Sequence, residues 1–313
     1  MTEITACSLC GSDHDAVEEM GIFHDITFGI PGEFPLVRCL NCGLIYYRER
    51  PTNEEICLYY PDGYTPYRSP IQDERFFLMK WARWRNIGKR CQIVKQYSPR
   101  SPGKILDVGC STGIFLNAMQ IEGWETQGIE INSNAALFAR QRFDLDIFQG
   151  QLLDTELSPK SADVITFWDV IEHTFDPLAT LKKAHLLLRD RGIVVMTLPH
   201  WESLDRRLFG LQWIGYDAPR HLHIFPREVL GKLLEKAGFD ILRMWCGIGG
   251  YFTFIASLRL WLTVHVKSSV LRKWIVRFLE LPGIRFVFQP LFSINDRLDV
   301  GGTLVIVARK SDE

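Results

Sequence analysis

The sequence predicts an α/β fold, a parallel sheet with helices on both faces. Two observations carry the prediction. From about Ser101 to Trp245, short apolar β-type runs alternate with helical patterns. The first of these runs, Ile105 to Val108, ends in a turn with Gly109 and Gly113 on either side of Cys110, Ser111 and Thr112, and a helical pattern starts there. A buried strand that enters a glycine turn at a helix N-terminus is suited to cradle a nucleotide-like ligand. The glycines let the backbone approach, and the free helix N–H groups face the ligand.

Composition sets the outer bounds. The 313 residues are 47% hydrophobic with a formal charge of −1, enough for one sizeable core plus smaller modules. The first residues, MTEITACSLC, hold no basic region followed by an apolar stretch, so a cytoplasmic location is expected. In a reducing compartment the eight cysteines read as metal ligands and buried thiols rather than disulfides.

Residues 1–50 form the first unit. Cys7-Ser-Leu-Cys10-Gly and Cys39-Leu-Asn-Cys42-Gly are each a C-x-x-C followed by glycine. Two residues between thiolates let both sulfurs reach one ion at about 2.3 Å, and the glycine permits the tight turn. Cys7, Cys10, Cys39 and Cys42 therefore predict a zinc ribbon with a closed tetrahedral site, structural in role. His14 and His24 lie between the knuckles but are not needed as ligands. A nucleic-acid-binding ribbon is a rival of another class. Its charge speaks against that, because Arg38, Arg48 and Arg50 stand beside eight acids, Glu3, Asp13, Asp15, Glu18, Glu19, Asp25, Glu33 and Glu49.

Residues 51–100 read as a linker and a basic helix. Pro51, Pro61, Pro66 and Pro70 mark irregular chain up to about residue 73. Tyr59, Tyr60, Tyr64 and Tyr67 cluster there, either covering a ligand pocket or packing the linker on the main domain. Over 74–97, Phe77, Trp81, Trp84, Cys91 and Val94 recur at helical spacing among Lys80, Arg83, Arg85, Lys89, Arg90 and Lys95. That basic face is either solvated or a site for an anionic substrate.

The main domain, 101–313, follows in order. Strands are expected at Ile105–Val108, Glu125–Ile131, Asp146–Phe148, Asp163–Trp168, Gly192–Leu198 and Asp240–Trp245. Helices are expected from Gly113 to Glu122, Ser133 to Arg142, Asp176 to Leu188 and Pro226 to Ala237. A dinucleotide fingerprint would place glycine at 109, 111 and 114, but these positions are Gly109, Ser111 and Ile114. The stretch Lys-Ile-Leu-Asp107-Val-Gly-Cys-Ser-Thr-Gly113 instead resembles motif I of the class I S-adenosylmethionine-dependent methyltransferases. That resemblance implies a Rossmann-like seven-stranded sheet. The last strand, Gly301 to Ala308, would lie antiparallel inside it, making residues 246–300 a helical insertion.

The resemblance also implies a cofactor half-site. Asp107, Gly109, Cys110, Ser111 and Gly113 form its turn. Glu130 ends the second strand, 21 positions after Gly109, where an acid accepts hydrogen bonds from ribose hydroxyls. Gln151 falls where the family contacts adenine. The segment Trp168-Asp169-Val-Ile-Glu172-His173 resembles the family's motif IV, with Asp169 the candidate to face the cofactor. Glu172 and His173 either act on the substrate or hold the loop.

Between the fifth strand and the next helix, residues 199–225 form a loop expected over the cleft, bearing Tyr216, Asp217, Arg220, His221 and His223. It resembles the substrate loop of zinc-ribbon methyltransferases of sugar and glycan biosynthesis, whose relatives include deoxysugar C-methyltransferases with a Tyr/Glu/His cluster near this place. His221 is the first candidate for general base, with His173 and Tyr216 as further catalytic candidates. His223 should face the other way if the segment is extended. Arg220 is expected to pair with a substrate phosphate or carboxylate.

The tail adds a partner. Residues 244–258 are uncharged but number only 15, too few for a confident membrane span. Val270, Leu271, Trp274, Ile275, Phe278 and Leu279 share one helical face, and 246–295 hold six Lys/Arg against one acid. A pair of basic amphipathic helices would rest on the inner membrane surface, or else pack on the sheet or in a dimer. The expected activity is methyl transfer from S-adenosylmethionine to oxygen or carbon of a small-molecule acceptor, a sugar or glycan precursor. The alternative is a lipid-linked or quinone-type acceptor at the membrane. The electrophile is the cofactor's own, so the transfer itself requires no metal.

Overall fold

The computed structural model describes residues 2–13, 15–61 and 77–311. Met1, His14, residues 62–76 (which include Tyr64, Tyr67, Pro66 and Pro70) and the last two residues lie outside them. The N-terminal strands are β1 (Thr2–Ile4), β2 (Val17–Phe23), β3 (Phe34–Cys39), β4 (Ile45–Tyr47) and β5 (Glu49–Pro51). Helix α1 (Phe77–Tyr97) leads into the alternating domain. There follow β6 (Lys104–Val108), α2 (Ile114–Ile121), β7 (Glu125–Glu130), α3 (Ser133–Phe143), β8 (Asp146–Gln149), β9 (Ala162–Trp168), α4 (Pro177–Leu187) and β10 (Leu188–Pro199). Then come α5 (Leu204–Phe209), β11 (His223–Ile224), α6 (Arg227–Lys236) and β12 (Phe239–Cys246). Helices α7 (Gly250–His265), α8 (Ser269–Glu280) and α9 (Pro282–Arg297) precede β13 (Thr303–Lys310).

The helices start where the sequence supplies caps. Asn132, Asp176 and Ser203 each accept a bond from the backbone N–H three residues on, and Pro177 occupies the first turn of α4. The strands are continuous apolar runs because both sheet faces are covered. Every residue of β9 is buried.

The central sheet has the order β12-β13-β10-β9-β6-β7-β8. It is parallel from β10 to β8, and β13 runs antiparallel between β10 and β12. This is the expected seven-stranded Rossmann-like sheet, with the closing strand inserted where the resemblance implied. One core covers the face under α4 and α6, with Phe167, Leu181, Val194, Leu233 and Ile306. The other lies under α1, α2 and α3, with Val94, Leu116, Ala139, Val164 and Val305.

The N-terminal strands do not stand apart. A second sheet has the order β11-β4-β3-β2, so two residues from the loop after β10 complete it. His223 pairs with Tyr46 and Ile224 with Ile45. The loop 199–225 is therefore packed rather than open. Trp213, Tyr216, Ala218 and Ile224 share a third core with Phe23, Phe34, Leu36 and Tyr47. The tail is three helices, where the sequence suggested a pair. Among the described residues α8 buries no side chain.

Candidate active site

The carboxyl ends of β6, β7, β9 and β10 converge on the glycine turn, the usual ligand side of such sheets. Gly109 and Gly113 have φ of +71° and +74°. A Cβ on Gly109 would lie 2.5 Å from Val170 Cγ2, and one on Gly113 would lie 2.6 Å from Leu145 Cδ1. Ser111, at φ +51°, shares the left-handed region. The turn is pinned to the next strand, because the N–H groups of Gly109 and Cys110 both donate to the Ile129 carbonyl. The Cys110 side chain itself is buried in the core beneath.

Glu130 is buried. Its two carboxylate oxygens accept from the backbone N–H of Ser111 and of Asn132, each at 2.8 Å, and burial raises its pKa. Each oxygen keeps a lone pair for a hydroxyl donor. Asp107 is buried deeper, accepts from the Thr166 hydroxyl at 2.6 Å, and burial pushes its pKa up to about 7. Gln151 donates its amide to Asn53 Oδ1.

Asp169 follows β9 with φ +59° and lies 3.4 Å from the Arg90 guanidinium, which also covers the Trp168 ring at 4.8 Å. Arg90 Nε, Trp168 Nε1 and Thr197 Oγ1 are buried here with no hydrogen-bond partner among the described residues. Three orphaned polar atoms beside a half-exposed acid suit a polar ligand. Periodicity had assigned Arg90 only to a basic helix face; its exceptional place shows once α1 packs across the strand ends.

Val170, packed against Gly109, leads to Glu172 and His173. Burial, with Asp169 nearby, holds the Glu172 pKa well above the ordinary carboxylate value. His173 Nδ1–H donates to the Arg220 carbonyl at 2.8 Å, with the Tyr60 hydroxyl at 3.1 Å. His221 Nδ1–H donates to the Gly215 carbonyl at 2.9 Å. The two imidazoles meet edge to face at 4.7 Å. Burial lowers both pKa values, that of His173 to about 3. The structure thus brings His221 and His173 together, 48 positions apart in sequence.

Other loop residues go elsewhere. His223 faces away as its extended backbone requires, and its Nε2 lies 2.9 Å from Ser8 Oγ between the first two cysteines. Tyr216 packs among Phe23, Trp201 and Trp213, and its carbonyl accepts from the Tyr47 hydroxyl. The expectation for Arg220 is corrected. It is fully buried, bonded to Asp25 at 2.8 Å and Asp217 at 2.6 Å, and donates to the Tyr59 carbonyl. No charge is left over for a substrate anion.

Cys7, Cys10, Cys39 and Cys42 bring their sulfurs within 4.8 Å of one another, with Cys7–Cys42 at 3.4 Å and Cys10–Cys39 at 3.5 Å. A tetrahedral ion with bonds of about 2.3 Å sets sulfurs about 3.8 Å apart, so the four residues fit one. His24 bonds the Gly32 carbonyl instead.

Sheet order, glycine turn and acid-tipped second strand define the class of protein. The chain belongs to the methyltransferase-domain family, which matches residues 81–243, more than half of its length. It is an S-adenosylmethionine-dependent methyltransferase. A "Ubiquinone biosynthesis O-methyltransferase" of Thiobacillus denitrificans is 26% identical over 48% of this chain and 70% of the relative. A "Probable S-adenosylmethionine-dependent methyltransferase" of Mycolicibacterium smegmatis is 26% identical over 58% and 69%. The crystal structure of a "putative sarcosine dimethylglycine methyltransferase" from Galdieria sulphuraria superposes with a TM-score of 0.50 at 15% identity, over 79% of this chain and 92% of that one, and shares the fold.

Proposed function

We propose that the enzyme methylates a hydroxyl oxygen of an amphiphilic acceptor, lipid-linked or quinone-type, taken from a membrane surface. The observation that supports oxygen transfer is the meeting of Glu172, His173 and His221 close to Val170, which abuts the glycine turn and precedes Glu172 by two residues. S-adenosylmethionine supplies the electrophilic methyl group. The chain's task is to position donor and acceptor and take up or release the acceptor's proton.

Gly109, Ser111 and Gly113 shape the cofactor turn, and Cys110 adds only its backbone. Glu130 receives the ribose hydroxyls, and the Gln151 oxygen receives the adenine amino group. Asp107 sits behind the turn. Asp169, Arg90 Nε, Trp168 Nε1 and Thr197 Oγ1 address the polar methionine end. Cys7, Cys10, Cys39 and Cys42 hold a structural zinc.

The membrane assignment draws on α8 and α9. Val270, Leu271, Trp274, Phe278 and Leu281 are exposed, as are Val287, Leu291 and Ile294. Beside them a groove between α7 and α8 is lined by Arg259, Arg272, Lys273 and Arg277. Apolar side chains flanked by cations suit an anionic lipid surface. No helix among the described residues is long and apolar enough to cross a membrane, so contact would be peripheral. The Thiobacillus relative, named for ubiquinone biosynthesis, agrees with this acceptor class. A sugar or glycan-precursor acceptor is the second reading, favoured by the polar lining of Asp169, Glu172 and the two histidines.

A methyl-transfer assay with isoprenylated phenols and with nucleotide sugars tests both readings. His221→Ala should lower turnover on the true acceptor by about 100-fold or more while leaving S-adenosylmethionine affinity unchanged by calorimetry. Unchanged turnover would remove the histidine cluster from the reaction.

A further inference from the structure

We infer that Glu172, His173 and His221 form a binding site for a divalent transition-metal ion, separate from the four cysteines. One ligand atom from each of the three lies within 4.8 Å of the others. They converge without bonding, since neither Glu172 oxygen has a hydrogen-bond partner among the described residues although the side chain is only 1% exposed. A carboxyl buried with both oxygens bare either keeps its proton or takes a counter-charge, and a bound cation supplies the second.

The histidines are set as metal ligands are. A carbonyl can only accept, so the bonds to Arg220 and Gly215 place the proton of each ring on Nδ1. Both Nε2 atoms then carry free lone pairs. A second-shell carbonyl that fixes the ligating tautomer is the usual support for a metal-bound imidazole. Bonds of about 2.0–2.2 Å would draw the three groups inward, a movement within the reach of side-chain rotation. Two imidazoles and one carboxylate suit Mn²⁺, Fe²⁺, Co²⁺ or Zn²⁺ better than the all-oxygen preferences of Mg²⁺ and Ca²⁺.

Three protein ligands leave coordination positions open, and one receives the acceptor hydroxyl. The ion acidifies that hydroxyl, and its proton passes to water. The oxygen lone pair then forms the bond to the methyl carbon while the carbon–sulfur bond breaks. Its electron pair stays on sulfur, leaving S-adenosylhomocysteine. This role rests on the oxygen-acceptor reading, but ion binding does not.

Full-length protein that retains metal on its cysteines is titrated with Mn²⁺, with free ion read by electron paramagnetic resonance. One Mn²⁺ should bind per chain. Glu172→Gln and His221→Ala should weaken it at least tenfold without lowering the melting temperature. The exposed Glu228→Gln should bind as the parent does. Absence of binding, or undiminished binding in the folded variants, would overturn the site. Should a variant not fold, Co²⁺ spectra of the parent decide. Weak bands of a nitrogen–oxygen site support the inference, and thiolate charge-transfer bands alone reject it. A chain that binds Mn²⁺ yet methylates no hydroxyl keeps the metal site and loses the acceptor reading.

Discussion

Asp107 shows how burial sets chemistry at a single residue. Its carboxyl is pushed up to about 7 against an ordinary 3.8, chiefly by burial. Between those values the folded chain holds a proton that the unfolded chain releases, so this residue's contribution to stability falls as pH rises from about 4 to 7. Asp107→Asn preserves the shape and removes the linkage. Its melting temperature should therefore gain on the parent as pH rises through this window, by the equivalent of up to about 4 kcal/mol; a difference independent of pH would refute the linkage. Reading residues from sequence succeeded where backbone geometry demanded a type, as at Gly109 and Gly113. It failed where a partner is remote. Arg220 looked like a substrate ligand because Asp25, which neutralises it, is 195 positions away. Nor does an acid–Val–x–Glu–His segment reveal that Glu172, rather than Asp169, is the buried member.

Among the elements, α8 is the one most at odds with a globular surface. Trp274 is 67% exposed and Phe278 54%. Trp274→Glu combined with Phe278→Glu should abolish cosedimentation with anionic vesicles. Stability should change by no more than about 0.5 kcal/mol per site, since neither side chain is buried. Retained sedimentation would move the membrane contact elsewhere. The helical periods of α1 to α4 and of α6, and the apolar strands of the central sheet, were legible because each is a local pattern; α5, six residues inside the loop 199–225, was not. Strand β11 was not, being two residues long and defined only by its pairing with Tyr46 and Ile45. That the loop carrying it packs against the N-terminal strands was hidden for the same reason, its apolar partners lying near the N-terminus.

The molecule as a whole is tied together at Arg220. Its guanidinium bridges Asp25 of the N-terminal region and Asp217 of the loop, all three buried. Arg220→Met leaves two carboxylates unpaired and should cost about 3–5 kcal/mol. Chemical denaturation measures this, and a cost under 1 kcal/mol would mean the acids are neutralised otherwise. Cys39→Ser should abolish zinc retention at the proposed four-cysteine site. Because that module holds the segment bearing His221, it should lower methyl transfer as well as metal content. Intact turnover after metal loss would uncouple the two.

The strand that the loop after β10 lends to the N-terminal sheet also bears on how this enzyme can be altered. Residues 223–224 complete a sheet that begins at Val17. A domain swap cut at residue 50 would part β11 from the three strands it completes. A chimera meant to change acceptor preference must therefore carry the cysteine module and residues 199–225 together as one cassette.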